Sequence, residues 1–176
     1  FRAVSGREKG RSLYCIDGTG IILSGGMEMF QKNRIASICQ LGSRTELFSH
    51  MSVEENLILP SLPKISAAEY VLSGGRMEKM LRDSAQQQLH LRPGKIRELG
   101  LNELITLTLE RWYILKPNVL ILLEPYLQCD IYGAAIVDSY IRKFAARGTA
   151  VLIVKSRDEY VREISDHMIR IDNILI

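Results

Sequence analysis

The chain has 176 residues and a mass of 20.0 kDa, a length that suits one domain, or one with a small insertion, and can bury a core. Apolar residues make up 47% and charged residues 24%, which excludes wholesale disorder and a collagen-like chain. A net charge of +3, from 23 Lys and Arg against 20 Asp and Glu, does not by itself mark a nucleic-acid binder, because phosphate backbones need clustered cations.

The first residue is Phe1 rather than Met and no apolar signal region follows, so the chain reads as trimmed or as a fragment. Residues 13–16 and 20–23 predict two short strands around an Asp17-Gly18 turn, an antiparallel pair. Residues 35–39 predict a further strand. From 52 to about 88 the sequence turns helical and polar, with loops at 60–63 and 73–75, which predicts a helical insertion between sheet strands. No stretch approaches the roughly 18–20 apolar residues of a membrane span.

The second half alternates between helix and strand. Residues 101–115 form an amphipathic pattern closed by Lys116-Pro117. Val119-Leu120-Ile121-Leu122-Leu123 is a continuous apolar run, as expected of a strand covered on both faces of a parallel sheet. Ala135, Ile136, Tyr140, Ile141 and Phe144 recur at helical spacing within 132–146 and stop before Gly148. A second buried-strand run occupies 150–154. Residues 157–164 predict a short helix, and 168–171 and 174–176 predict strands around an Asp172-Asn173 turn. This order implies an α/β layer with right-handed crossovers.

Cys15, Cys39 and Cys129 are far apart, odd in number and lack a C-x-x-C pair, so they read as buried thiols of a reducing cytosol. His50, His90 and His167 are equally scattered and give no support to a histidine metal centre.

The informative phrase is Val119 to Tyr126. A buried parallel strand ending in an acid sets that carboxylate at the carboxyl edge of the sheet, where α/β proteins bind ligands. Glu124 followed by Pro125 is a candidate for polarising an attacking water beside a nucleotide phosphate, although a solvated strand-end acid would look the same. With Lys116-Pro117-Asn118 before it and residues 127–135 after it, the block resembles the Walker B and D-loop region of an ATP-binding cassette (ABC) ATPase domain. It is most similar to the second, variant cassette of sugar and ribose-type importers. Further segments match in order. Residues 1–6 with Ile16-Asp17-Gly18 resemble the end of the helix after the phosphate loop and then the hairpin. Residues 37–40 and 51–56 resemble the Q-loop and its downstream helix start, and 151–159 the last core strand and switch region.

The resemblance covers nearly the whole chain. It implies a nucleotide-binding α/β fold of the P-loop NTPase type: a core sheet, an antiparallel N-terminal hairpin and a helical subdomain inserted at approximately 44–115. It also implies ATP and Mg²⁺ as cofactors, and as partners a membrane permease, a second cassette in the same polypeptide or another chain and, indirectly, a solute-binding protein, with no nucleic acid. The implied location is cytoplasmic, at the inner face of the cell membrane, and the implied permease groove lies around Gln40 to Asn56. By position, Glu124 matches the catalytic base, Gln40 the Q-loop glutamine, Asp130 the D-loop acid and Ser156 the switch residue.

The departures are as specific as the matches. A phosphate loop of the form G-x-x-x-x-G-K-[ST], whose amides cradle phosphate, does not occur. Gly6 to Ser12 comes near it but has no buried strand before it and no helix after it. In register with the family, the loop would lie just before Phe1. Leu123 stands at the position of the magnesium-orienting Asp and offers no oxygen. The signature element, which brings small residues close to phosphate, aligns with Leu99-Gly100-Leu101-Asn102-Glu103, where bulk and an acid replace them. Two literal Leu-Ser-Gly-Gly strings, 23–26 and 72–75, lie in the wrong context and read as decoys. Ser156 also reads as a helix cap for the residues around Asp158 and Glu159, and Asp130 as a cap for 131–146. The resulting expectation is a degenerate cassette with a structural and coupling role and weak or no hydrolysis. The alternatives are a competent ATPase whose phosphate loop is missing from this chain, and a non-transport interaction module on the same fold.

Overall fold

A computed structural model of the chain describes residues 11–16, 19–24, 34–62, 66–68, 71–72, 75, 78, 96–157 and 161–170. The near-miss loop at 6–10, the Asp17-Gly18 turn, most of 73–95 and the strand expected at 174–176 lie outside these residues.

The elements follow from the local sequence. Strands β1 (Arg11–Ile16) and β2 (Thr19–Ser24) pair antiparallel, with Ile16 opposite Thr19, as the turn between them predicts. Strand β3 (Ile35–Ile38) is buried throughout. Helix α1 (Val53–Ile58) begins with a capping box: Ser52 Oγ accepts the Glu55 N–H at 3.1 Å while Glu55 Oε2 accepts the Ser52 N–H at 2.7 Å. It is one short helix, followed by a single tight turn at Leu59–Ser61 carrying Pro60. Beyond it the helical expectation is corrected at 66–68 and 71–72, where β4 (Ser66–Ala68) and β5 (Val71–Leu72) form a small antiparallel pair. The β-branched Val71 beside Leu72 suits a strand better than the helix its polar neighbours suggest.

Helix α2 (Leu101–Leu115) and β6 (Val119–Leu123) have the expected bounds. Lys116 ends α2 in the left-handed conformation (φ 56°) and Pro117 prevents continuation. Helix α3 (Ile131–Ala146) starts one residue before its expected position, on Asp130, and Gly148 (φ 81°) turns the chain into β7 (Ala150–Val154). The principal sheet is parallel, in the order β3-β6-β7, with Ile38 opposite Leu122 and Leu123 opposite Val154.

Two apolar clusters share α2. Ile105 and Leu109 join Leu120 and Leu122 of β6, Ala36 and Ile38 of β3, and Val137, Tyr140, Ile141 and Phe144 of α3. Leu104, Leu107 and Ile114 turn the other way, onto Val53 and Leu57 of α1 and onto Leu47, Ile96 and Leu99. A helix buried on two sides needs apolar residues nearly all round, which explains the run Leu104-Ile105-Thr106-Leu107-Thr108-Leu109. Each fully buried Leu or Ile contributes about 1.5–3 kcal/mol relative to exposure. Inside this packing Glu110 is fully buried and accepts the Tyr140 hydroxyl at 2.6 Å.

The helix expected at 157–164 is also corrected. The described residues there, 161–164, form a turn closed by Ile164 N–H to Val161 O at 3.3 Å. Residues 168–170 lie outside any strand, and Ile169 is 86% exposed, with no neighbouring strand among the described residues to cover it.

Candidate nucleotide edge

The three parallel strands bring their carboxyl ends to one edge. Gln40 lies two residues past Ile38, and Glu124 two past Leu122, so these paired positions carry both residues to the same edge. Ser156, two past Val154, arrives there from β7. The topology therefore gathers three of the expected site residues that are separated widely in sequence.

Glu124 is the most constrained. Its backbone is left-handed (φ 46°), a conformation that costs a non-glycine residue of order 1–3 kcal/mol, and it precedes proline. Several contacts hold it there. Its N–H donates to Val154 O at 2.9 Å, its carbonyl accepts from Leu127 N–H at 3.1 Å, and its Oε1 accepts the Ser156 N–H at 2.6 Å. Ser156, expected at the switch position, thus acts through its backbone amide and fixes the carboxylate. The helix start that it would alternatively cap, around Asp158 and Glu159, lies outside the described residues. The other carboxylate oxygen leaves a lone pair that can take a proton from a water.

The turn after Glu124 is braced by groups that the sequence did not single out. Tyr126 is buried and donates its hydroxyl to Asp138 Oδ1 at 2.6 Å, while Lys155 Nζ sits 4.9 Å from the ring centroid. Burial, with the Asp138 carboxylate next, pushes the Tyr126 phenol well above its ordinary range. Cys129 Sγ donates to Pro125 O at 3.4 Å, and burial raises that thiol too, so it is a structural thiol rather than a nucleophile. A tyrosine one residue past the Glu-Pro pair, with an acid twelve positions on, was the available signal.

Asp130 caps α3: its Oδ1 accepts the Gly133 N–H at 2.6 Å. Gly133 is needed for contact, because a Cβ there would lie 3.0 Å from Asn102 Oδ1 and 3.3 Å from Asp130 Oδ1. The segment Leu99 to Glu103 therefore reaches the start of α3. Within it, Glu103 Oε2 accepts the Gly100 N–H at 2.8 Å, the carboxylate half of a capping box; Gly100 has no side chain to supply the other half. The Glu103 carboxylate is thus tied to its own helix start. Arg44 donates to Leu99 O at 3.0 Å and Gly42 (φ 77°) abuts Leu101, a Cβ there meeting its Cδ1 at 2.6 Å, so the Gln40 loop packs against the same segment. Gln40 Oε1 accepts the Thr45 hydroxyl at 3.3 Å.

The donor set does not fit a magnesium ion. Among the described residues no three His, Cys, Asp or Glu side chains converge on a metal position. Leu123 is aliphatic, Asp130 and Gln40 have hydrogen-bonded oxygens, and one oxygen of Glu124 is engaged. Magnesium favours one or two protein carboxylates beside substrate phosphates, so Glu124 alone supplies a minimal share.

No protein-family profile matches the chain. It is 30% identical over 127 residues to the ribose import ATP-binding protein RbsA of Jannaschia sp., covering 68% of this chain and 23% of that protein. It is 27% identical over 141 residues to RbsA of Geobacillus kaustophilus, covering 76% and 28%, so the chain spans about a quarter of such relatives. The fold matches CbiO1 of Clostridium perfringens, part of an ABC transporter complex (TM-score 0.63, 18% identity, 89% of this chain and 61% of that one). It also matches the ATP-binding cassette MJ0796 in its dimeric state bound to ADP and phosphate (TM-score 0.66, 17% identity, 90% and 69%). This chain has the fold of an ATP-binding cassette ATPase domain and is related in sequence to ribose and sugar import ATP-binding proteins.

Proposed function

We propose that the chain serves a sugar importer as a degenerate ATP-binding cassette, coupling a hydrolysing partner to a permease while hydrolysing little or nothing itself. The observation that carries this reading is the end of β6, where Leu123 stands in the metal-orienting position and Glu124 remains, its carboxylate held by the Ser156 amide. A candidate base is present at Glu124, and the Leu123 side chain before it offers no oxygen to a metal-bound triphosphate. Positioning and electrostatic stabilisation supply most of phosphoryl-transfer catalysis, so such an edge favours assembly over turnover.

Two exposed apolar sites support the partners. Leu127, Ile131 and Tyr132 are 77%, 85% and 77% exposed beside the Glu124 turn, a surface suited to a second cassette facing this edge. Phe48 is 51% exposed next to α1, within the stretch from Gln40 to Asn56 proposed to receive the permease. Asn56 anchors that stretch: its Oδ1 accepts the Phe48 N–H at 2.8 Å, and its Nδ2 donates to Phe48 O at 3.0 Å and Ser52 O at 2.9 Å. A rigid loop of this kind passes on a rigid-body movement. No helix among the described residues is long and apolar enough to cross a membrane, so attachment in this reading is through the permease.

The test is ATP turnover by the full-length polypeptide, with Glu124→Gln as its pair. Equal, near-background rates in both support the coupling role. Robust hydrolysis abolished by Glu124→Gln establishes the competent-ATPase alternative instead.

A further inference from the structure

The opposite edge of the sheet carries a recess of about 370 Å³ that the nucleotide-edge reading does not use. Arg34 immediately precedes β3, Asn118 precedes β6 and Thr149 precedes β7, so the amino ends of all three parallel strands open into it. Helix α2 ends there at Tyr113 to Lys116, and α3 at Phe144 to Arg147. Among the described residues the lining holds three cations, Arg34, Lys116 and Arg147, and no Asp or Glu.

The cations are held in place by neutral groups. Arg34 Nη2 donates to Lys116 O at 2.5 Å. The Arg147 guanidinium lies 3.5 Å from the Tyr113 ring centroid and donates to Tyr113 O at 3.4 Å. Thr149 Oγ1 donates to Pro117 O at 2.8 Å, which stiffens the floor. Lys116 Nζ and the Asn118 carboxamide have no partner among the described residues. Two helix C-termini supply partial negative charge of about one-half each, which leaves a surplus of roughly two positive charges against the three cations. Of the three non-glycine residues with positive φ among the described residues, two, Arg34 and Lys116, line this recess, and the third is Glu124. Lys116 (φ 56°) occupies a left-handed helix-ending position that glycine suits best.

We propose that this recess binds a phosphoryl-bearing anion. A phosphate monoester carries about two negative charges near neutral pH, which matches the surplus, and guanidinium forks suit its oxygens. Arg34 and Arg147 flank the group, Lys116 supplies a mobile point charge and the Asn118 carboxamide a neutral donor. The same chemistry is borne by a free phosphorylated small molecule or by a lipid headgroup. The size of the recess suits a small ligand.

Pyrophosphate is the solution probe, titrated by calorimetry into the full chain at low salt, with backbone NMR to locate it. Vesicles of phosphatidic acid against phosphatidylcholine test the headgroup source. Lys116→Gly removes the charge while relaxing the left-handed position, so the fold is kept or strengthened while affinity falls at least roughly tenfold. Arg147→Gln weakens binding similarly. Shifts centred on Thr149 and Asn118 that both variants abolish support the site with a free ligand, and vesicle binding lost in both supports it with a headgroup. Binding unchanged in both variants, no binding of either probe, or shifts centred on Glu124 and Ser156, overturns it.

Discussion

The two ends of one parallel sheet differ in how their polar groups are used. At the carboxyl end Glu124, Gln40, Asp130 and Glu103 each have an oxygen engaged by an N–H or O–H of the chain itself, and the strand that leads to Glu124 ends in Leu123. At the amino end three cations converge, with no acid among the described residues of the lining. At the end where the family resemblance directs attention each of these groups has one oxygen tied to the chain, while the end it does not mention gathers side chains of one charge. A site position is therefore judged by what its side chain already holds, as well as by which residue it is.

The two ends share a support, and removing it is the largest perturbation expected. Phe144 is 1% exposed, packs in the main core and lines the recess, with Tyr113 edge-on at 5.3 Å. Phe144→Ala should cost about 3–5 kcal/mol by chemical denaturation and loosen both ends together. Should its loss leave the Glu124 end unaltered in hydrogen exchange, the two ends would be separate units.

Alkaline pH should act next. Tyr140 is raised above its ordinary range by burial first and then by Glu110, and Tyr126 is raised in the same direction by burial and then Asp138. Both stay neutral in the fold when the unfolded chain ionises. The stability from this source is complete below about pH 10 and falls as pH rises beyond it, by up to about 1.4 kcal/mol per pH unit for each tyrosine. Tyr140→Phe should flatten that fall and cost about 1.5–3 kcal/mol at neutral pH, through the lost bond to Glu110. Absorbance of tyrosinate against unfolding reads both.

A smaller effect distinguishes the carboxyl end. Asp130→Ala should cost about 1 kcal/mol by loss of the α3 cap, a plain structural role. Glu124→Gln should change stability by no more than about 0.5 kcal/mol, since an amide oxygen still accepts the Ser156 N–H.

Much of the sheet was legible. Val119-Leu120-Ile121-Leu122-Leu123 is apolar without interruption and so reads directly as a doubly covered strand, and Lys116-Pro117 and Gly148 punctuate the helices. Two other segments were less so. Residues 66–68 and 71–72 form a strand pair that local polarity disguised, and 161–164 form a turn where a short helix was expected. At the candidate site, residue identity marked Glu124, Gln40, Asp130 and Ser156, but not how they are engaged. That Ser156 works through its backbone, and that Glu103 closes its own helix, are facts of φ/ψ and packing. The recess was invisible for another reason: Arg34, Lys116 and Arg147 come from three element ends, the first two 82 positions apart, and only the parallel register assembles them.

The most direct measurement of the central claim is the affinity of the full-length polypeptide for ATP with Mg²⁺ and with chelator. The account expects the two affinities to agree within about threefold, because Leu123 and the engaged carboxylate of Glu124 give the metal little to hold. Binding tightened tenfold or more by Mg²⁺, with the triphosphate lying beside Leu123 in crystals, would contradict it.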